Sequence, residues 1–120
     1  MRFYERITYH DFGGFEFDMA MRDPLIDDLG DALVALLRNH GALVCGRTLP
    51  EAFVLHHFLE MACRGQVAAL SAGEGNYVMP PHEVCVFARD QINNVPYPPG
   101  GKDWPAMMRL AERLDPGFKE

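Results

Sequence analysis

The residue best suited to chemistry in this sequence is His40, which lies in Asn39-His40-Gly41 between two apolar segments. A histidine at the end of a buried strand has a fixed backbone, and its ring can then point into a cleft. Gly41 is expected to let the chain turn and to keep the approach to the ring open. Neutral imidazole is a common ligand of Zn²⁺, so His40 is a candidate metal ligand. A lone histidine is also frequently a hydrogen-bonded structural residue, and the pattern leaves both interpretations open.

The other histidines and the cysteines do not follow a metal-binding spacing. His56 and His57 are adjacent on a predicted helix, where neighbouring side chains point about 100° apart. We expect His10 and His82 to be surface residues or to form local hydrogen bonds. The cysteines are odd in number and lack a CxxC spacing, which indicates reduced thiols that pack as small core residues. They are Cys45, Cys63 and Cys85.

Two predicted strands position His40. Segments 33–37 and 42–46 are short, apolar and close to glycine, which favours adjacent strands within residues 34–47 and places His40 at their connection. Residues 7–12 alternate enough to form a further strand, and residues 15–18 could form another.

Four helices are predicted around these strands. Asp23-Pro24 begins a short helix that Gly30 ends. A capping box of Thr48 and Glu51 begins a long helix that reaches about residue 70. Another helix follows Pro80-Pro81, and the last spans about residues 103–115, with Asp103 as its cap. The apolar stripes expected to face inward are Ala52, Leu55, Leu59, Cys63 and Leu70 on the long helix, Val84, Phe87 and Ala88 on the next, and Trp104, Met107, Met108, Ala111 and Leu114 on the last.

Composition narrows the function classes. The 120 residues carry a net charge of −6, with 48% hydrophobic and 23% charged residues, as is typical of a folded globular domain. Without a basic run, nucleic acid is not an expected partner. The longest apolar run is far too short to cross a bilayer, and the N-terminus lacks an apolar leader. We therefore expect a cytoplasmic protein that acts on small molecules or other proteins and not on membranes.

The order of these segments resembles the class II aldolase/adducin family. The similarity is centred on Asn39-His40-Gly41 and the following helix, and extends over most of the chain through segments 2–4, 7–14, 28–31, 51–53, 59–63, Pro81, 83–84 and 104–115. It implies that residues 1–120 are a single domain, the C-terminal portion of a class II aldolase/adducin-like domain. The implied fold is α/β: part of a three-layer α/β/α sandwich with a mostly antiparallel sheet and a helix-rich C-terminal half.

The resemblance also implies a metal site. Enzymes of this family hold a divalent metal, usually zinc, with a His-x-His pair and a third histidine, which matches His40. Tyr9 aligns with a tyrosine that acts in catalysis from a neighbouring subunit, so it is a candidate acid. The sequence contains no His-x-His, and the family's acid/base glutamate belongs to the first half. The catalytic first half is therefore expected to be missing, and the chain alone should bind zinc weakly.

Three interpretations follow, and enzymatic activity stays undecided among them. The first is a metal-dependent carbon–carbon lyase that cleaves a sugar phosphate or related hydroxy-carbonyl compound, with the first half supplied by another chain or by further sequence. The second is a non-catalytic assembly module like the adducin head. The third is a small α+β domain whose Asn-His-Gly match is accidental. Expected partners are a small-molecule substrate, if the protein is active, and either further copies in a homo-oligomer or a chain that supplies the N-terminal half.

Overall fold

The computed structural model describes residues 1–14 and 18–119. This part of the chain contains three strands and four α-helices, with a short 3-10 helix, Met19–Met21, before the first of the α-helices. In chain order the elements are β1 (Ile7–His10), α1 (Arg22–Leu29), β2 (Val34–Leu37), β3 (Gly41–Val44), α2 (Leu49–Leu70), α3 (His82–Asn93) and α4 (Asp103–Leu114). The mixed α/β class is thus confirmed. The strand predicted at residues 15–18 falls largely outside the described residues.

The three strands form one sheet in the order β1-β2-β3. The predicted pair of strands around His40 is confirmed: β2 and β3 are antiparallel, with Leu37 opposite Gly41. β1 pairs with β2 in the parallel direction, with His10 opposite Leu37. A parallel pair requires a crossover, and α1 supplies it. The described sheet therefore has one parallel and one antiparallel pairing, where a mostly antiparallel sheet was expected.

The core lies between the sheet and the first half of α2. Its most buried apolar residues are Val34, Ala35, Val54, Leu55, Leu59 and Cys85. α1 packs on β1 and β2, whereas α2 packs on β3 and α4. The predicted stripe of α2 is right for Leu55 and Leu59 and wrong for Leu70, because residues 64–70 of this helix are all exposed. Of the cysteines, Cys85 is buried as expected, and Cys45 and Cys63 are half-buried.

Helix α3 packs inward through Cys85, Ala88, Arg89 and Asn93, so its predicted apolar stripe is right for Ala88 and wrong for Val84 and Phe87. Phe87 is 64% exposed and Val84 is also exposed, whereas Cys85 is buried. The reason is a set of polar contacts to the N-terminal segment, since Arg89 reaches Glu5 at 3.4 Å and Asn93 accepts a hydrogen bond from Arg2 at 3.0 Å. These contacts determine which side of the helix is covered.

Helix α4 packs approximately as predicted. Trp104, Met107, Met108 and Ala111 are half-buried, but Leu114 is 77% exposed and lies outside the packed stripe. The Trp104 ring meets Phe53 of α2 edge to face at a centroid distance of 5.3 Å. Asp103 is the first residue of the helix and Lys102 occupies the cap position without a side-chain hydrogen bond, so the predicted Asp103 cap is wrong.

Candidate functional site

His40 lies at the end of the three-residue turn that joins β2 to β3. Its side chain is exposed, and its backbone N–H donates to the Leu37 carbonyl oxygen at 3.0 Å. The turn depends on Asn39, whose φ is +57°. Asparagine tolerates this left-handed conformation better than other non-glycine residues. The turning role expected for Gly41 therefore belongs to Asn39, because Gly41 does not have a positive φ.

An aromatic ring lies beside the candidate ligand. The Phe12 and His40 rings are stacked, with centroids 6.1 Å apart and an angle of 30° between their planes. Phe12 follows the end of β1, so the contact joins the β1 end to the β2–β3 turn. Stacking of this kind restricts the orientation of the imidazole.

Tyr9, the candidate acid, lies on β1 opposite Leu36 of β2 and is 54% exposed. The guanidinium carbon of Arg38 lies 5.3 Å from the Tyr9 ring centroid, which is within cation–π range. Arg38 Nη1 also donates to Asp11 Oδ1 at 2.9 Å. Tyr9 and His40 therefore lie at the same end of the sheet. Arg38 lies in the same turn as His40, and its guanidinium packs against the Tyr9 ring.

His10 differs from the expectation of a surface residue. It is only 8% exposed, and its Nδ1 lies 2.8 Å from Asp28 Oδ2 of α1. Because side chains alternate along a strand, His10 lies on the opposite face of the sheet from Tyr9. The hydrogen-bonding role that the sequence suggested is supported, although the partner is 18 residues away. The sequence signal that could have found the pair is the acidic Asp28 near the end of a helix that crosses back over β1.

The remaining histidines lie elsewhere. His82 is the first residue of α3, and its Nδ1 lies 3.0 Å from the Tyr4 hydroxyl oxygen. His56 and His57 are exposed on α2. The Glu60 carboxylate accepts a hydrogen bond from Arg64 at 2.7 Å.

Among the described residues, Glu51 is a buried acidic residue, and its surroundings identify a structural role. Glu51 Oε2 accepts from the Arg47 backbone N–H at 2.9 Å, and the Glu51 backbone N–H donates to Thr48 Oγ1 at 3.2 Å. The predicted capping box therefore exists, with the carboxylate bonded one residue earlier than the cap. The side-chain hydrogen bond from Arg47 lowers the pKa of the Glu51 carboxyl. Because its pKa is lowered, the Glu51 carboxyl is not suited to donate a proton at neutral pH.

The described residues do not supply a complete set of ligands for a metal ion at His40. Within residues 1–14 and 18–119, there is no group of three or more His, Cys, Asp or Glu side chains that could hold a metal ion. Catalytic zinc in proteins generally has three protein ligands and an open position. A zinc site at His40 would therefore need ligands from residues other than these.

No helix among the described residues is both long and apolar enough to cross a membrane.

Comparison with known proteins agrees with this fold. A crystal structure of an aldolase II superfamily protein from Pseudomonas syringae superimposes with a TM-score of 0.89 and 37% sequence identity, over 99% of this chain and 48% of that one. Residues 1–67 match the family model described as Class II Aldolase and Adducin N-terminal domain. The chain belongs to the class II aldolase/adducin family.

Relatives of two kinds are similar to this chain. A Caulobacter vibrioides protein, named as an aldolase class 2 protein, is 36% identical over 96% of this chain and 45% of its own length. Human beta-adducin is 38% identical over 90% of this chain and 16% of its own length. The chain spans slightly less than half the length of the bacterial relatives it matches. Identity alone does not separate the aldolase-named relatives from the adducins.

Proposed function

We propose that this protein is a metal-dependent carbon–carbon lyase of the class II aldolase type, with His40 as one ligand of a divalent metal, zinc in the first place. The observation that carries the proposal is the presentation of His40: exposed, at the end of a tight turn and stacked on Phe12. A bound metal would polarise the hydroxyl and carbonyl oxygens of a hydroxy-carbonyl substrate. The expected reaction is aldol cleavage of a sugar phosphate or a related compound.

The chain's own residues have two roles in this proposal. His40 would hold the metal through an imidazole nitrogen. Tyr9, which is half-exposed, would act as the acid in the active site of a neighbouring subunit, as the tyrosine with which it aligns does. At least part of the metal's ligand set would come from residues other than those described, because the described residues contain no group of three or more His, Cys, Asp or Glu side chains that could hold a metal ion.

Family membership supports the parts of the proposal that concern the domain and its assembly. Residues 1–120 are proposed to be the C-terminal portion of a class II aldolase/adducin-like domain in a cytoplasmic homo-oligomer, or in a complex with a chain that carries the N-terminal half. The exposed apolar residues of α2 and α3, such as Phe53, Met61 and Phe87, support such an assembly because they leave apolar surface uncovered.

A second function has its own support. A non-catalytic role in assembly, as in the adducin head, is the alternative proposal, because the chain is also similar to beta-adducin, at 38% identity over 90% of this chain. In that case His40 has a structural role, to which its stacking on Phe12 contributes.

Metal content separates the two functions. The protein, with every residue that its gene encodes, is purified without chelators, and zinc, manganese and iron are measured per subunit by mass spectrometry. The lyase proposal expects about one metal ion per active site, lost in His40→Ala and retained in His57→Ala, a matched exposed histidine on α2. Stoichiometric metal that survives His40→Ala, or no metal after reconstitution with each of the three ions, would exclude the proposed site.

A further inference from the structure

A cavity lies at the end of β1 and β2 that is opposite to His40. Its volume is about 360 Å³, and it is lined by residues of segments 2–6 and 31–33, by Leu55 of α2 and by Asn93 of α3. Because β1 and β2 are parallel, the segments that precede them meet at this end, whereas His40 follows the other end of β2. Cavities of roughly 300–1,000 Å³ are typical of small-molecule sites. The cavity is therefore a candidate site that is separate from the candidate metal ligand.

The apolar part of the lining consists of Phe3, Ala32, Leu33 and Leu55. Leu55 is 4% exposed and belongs to the core between the sheet and α2, so its position is fixed by packing. Leu33 is 47% exposed, so a ligand that covers it removes apolar surface from water. The cavity thus favours a ligand with a small apolar group.

Arg2 brings a well-positioned guanidinium to the lining. Its Nη1 donates to Asn93 Oδ1 at 3.0 Å, and its guanidinium carbon lies 5.3 Å from the Phe58 ring centroid. Burial lowers the pKa of Arg2, and Asp103 opposes this shift without forming an ion pair with it. Within the described part of the chain, no carboxylate is paired with this guanidinium. A partly desolvated cation whose hydrogen-bond acceptor is a neutral amide is stabilised by a bound anion.

Two further charged residues of opposite sign, Arg6 and Asp31, line the cavity. Among residues 1–14 and 18–119, neither side chain forms an ion pair or a hydrogen bond. Glu5 also lines the cavity, but its carboxylate is shared between Arg89 at 3.4 Å and His82 at 3.7 Å. The cavity therefore offers two guanidiniums to an anionic group and one carboxylate to a cationic group.

We propose that this cavity binds an α-amino acid with an apolar side chain. Arg2 and Arg6 bind its carboxylate, to which a guanidinium can make a two-point contact. Asp31 accepts hydrogen bonds from its ammonium group. The side chain of the ligand lies against Leu33 and Leu55. A ligand with only one of the two charges would leave either the arginines or Asp31 without a partner, so the lining favours a zwitterion.

Binding is measured by isothermal titration calorimetry on the whole protein, with free leucine as the probe. Two comparison probes each lack one charged group of leucine: isocaproate lacks the ammonium group, and isopentylamine lacks the carboxylate. We expect leucine to bind saturably and each comparison probe to have an affinity about tenfold or more lower, because one hydrogen-bonded charge is lost. Free glycine keeps both charges and should also bind more weakly than leucine, because it has no side chain to cover Leu33.

Variants then assign each charge of the ligand to a residue. Asp31→Asn should weaken leucine binding about tenfold or more and leave isocaproate binding unchanged, because isocaproate has no ammonium group. Arg6→Gln should weaken the binding of both probes. Asp27→Asn and Arg109→Gln are the matched controls, since both residues are exposed and lie outside the cavity. The controls should change neither affinity.

The same titrations separate the cavity from the proposed metal site. His40→Ala should bind leucine as wild type does, and loss of leucine binding in this variant would overturn the inference. So would a lack of saturable leucine binding, equal affinities for leucine and isocaproate, or leucine binding that survives both Asp31→Asn and Arg6→Gln. The wild-type titrations need no substitution, so the inference stays testable even if a variant fails to fold.

Discussion

Replacement of Glu51 tests how the long helix is attached to the sheet that carries the candidate site. Glu51 lies in the first turn of α2, and its side chain is 10% exposed. It accepts the Arg47 N–H in the connection from β3 and follows the Thr48 cap. A negative charge at this position also interacts favourably with the helix dipole. We expect Glu51→Gln and Glu51→Ala to destabilise the protein by different amounts.

The size of each effect follows from the hydrogen bond to Arg47. A hydrogen bond to a charged group contributes about 1.5–3 kcal/mol, and one between neutral groups about 0.5–1.5 kcal/mol. Glutamine keeps an acceptor and loses the charge, so Glu51→Gln should cost about 1 kcal/mol. Alanine loses both, so Glu51→Ala should cost about 2 kcal/mol. The ion pair with the exposed Arg47 guanidinium adds little to either value.

The dependence on pH has a defined sign. Arg47 lowers the pKa of the Glu51 carboxyl in the folded protein. The stabilisation from its charge is therefore complete above the pKa of an unfolded-state glutamate, about 4.3, and is lost as pH falls through the lower folded-state pKa. The difference between wild type and Glu51→Gln should be constant from pH 7 to about 5.5 and should shrink below about pH 4.

The assay is urea unfolding followed by circular dichroism at several pH values. Glu60→Gln is the control, because Glu60 pairs with Arg64 on the exposed side of the same helix. That substitution should change the free energy of unfolding by less than about 0.5 kcal/mol. If Glu51→Ala is as mild as Glu60→Gln, or if the Glu51→Gln difference grows on acidification, the reasoning about this cap is refuted.

Five further substitutions, at four positions, have expected effects on the free energy of unfolding measured in the same way. Asn39→Gly should be tolerated because φ is +57°, whereas Asn39→Val should cost about 1–2 kcal/mol; equal stability of the two would contradict the turn described here. Gly100→Ala should destabilise the protein, since φ is +85° and the new Cβ would lie 2.7 Å from the backbone of α2. Gly65→Ala, within α2 where a Cβ would meet no atom within 4 Å, should stabilise the protein by about 0.5–1 kcal/mol. A more stable Gly100→Ala than Gly65→Ala would be inconsistent with these positions. Trp104→Ala should cost about half of the ~3–5 kcal/mol typical of a fully buried tryptophan, and a cost near zero would show that α4 does not pack through this face.

The strand pair around His40 could be predicted because local signals agree there. Apolar runs on both sides, a polar turn and a glycine specify two strands without reference to the rest of the chain. The α2 start was predictable for the same reason, since Thr48 and Glu51 are close in sequence and bond to nearby amides. Two local assignments were wrong. The turning role was given to Gly41, where the left-handed backbone belongs to Asn39, and the cap of α4 was given to Asp103, which is the first residue of that helix.

Features that depend on distant residues were not predictable from periodicity. The orientation of α3 is set by contacts between Arg89 and Glu5 and between Asn93 and Arg2, 84 and 91 residues apart. A hydrophobic stripe predicts which face could be buried, but it carries no information about a competing polar partner elsewhere in the chain. The burial of His10 against Asp28 is a second case of the same kind.

At the C-terminal end of β1, the neighbouring residues Tyr9 and His10 differ in exposure: His10 is buried and Tyr9 is half-exposed. On one face, His10 is enclosed and paired with Asp28, so it ties α1 to β1 and contributes to the position of the strand. Tyr9, the preceding residue, must then point to the other face because a strand alternates, and it is left half-exposed beside Arg38. A one-residue slip of β1 would exchange these environments and bury a phenol where the imidazole belongs. The buried His10–Asp28 pair therefore determines the register that keeps Tyr9 open at the end of the sheet where His40 is presented.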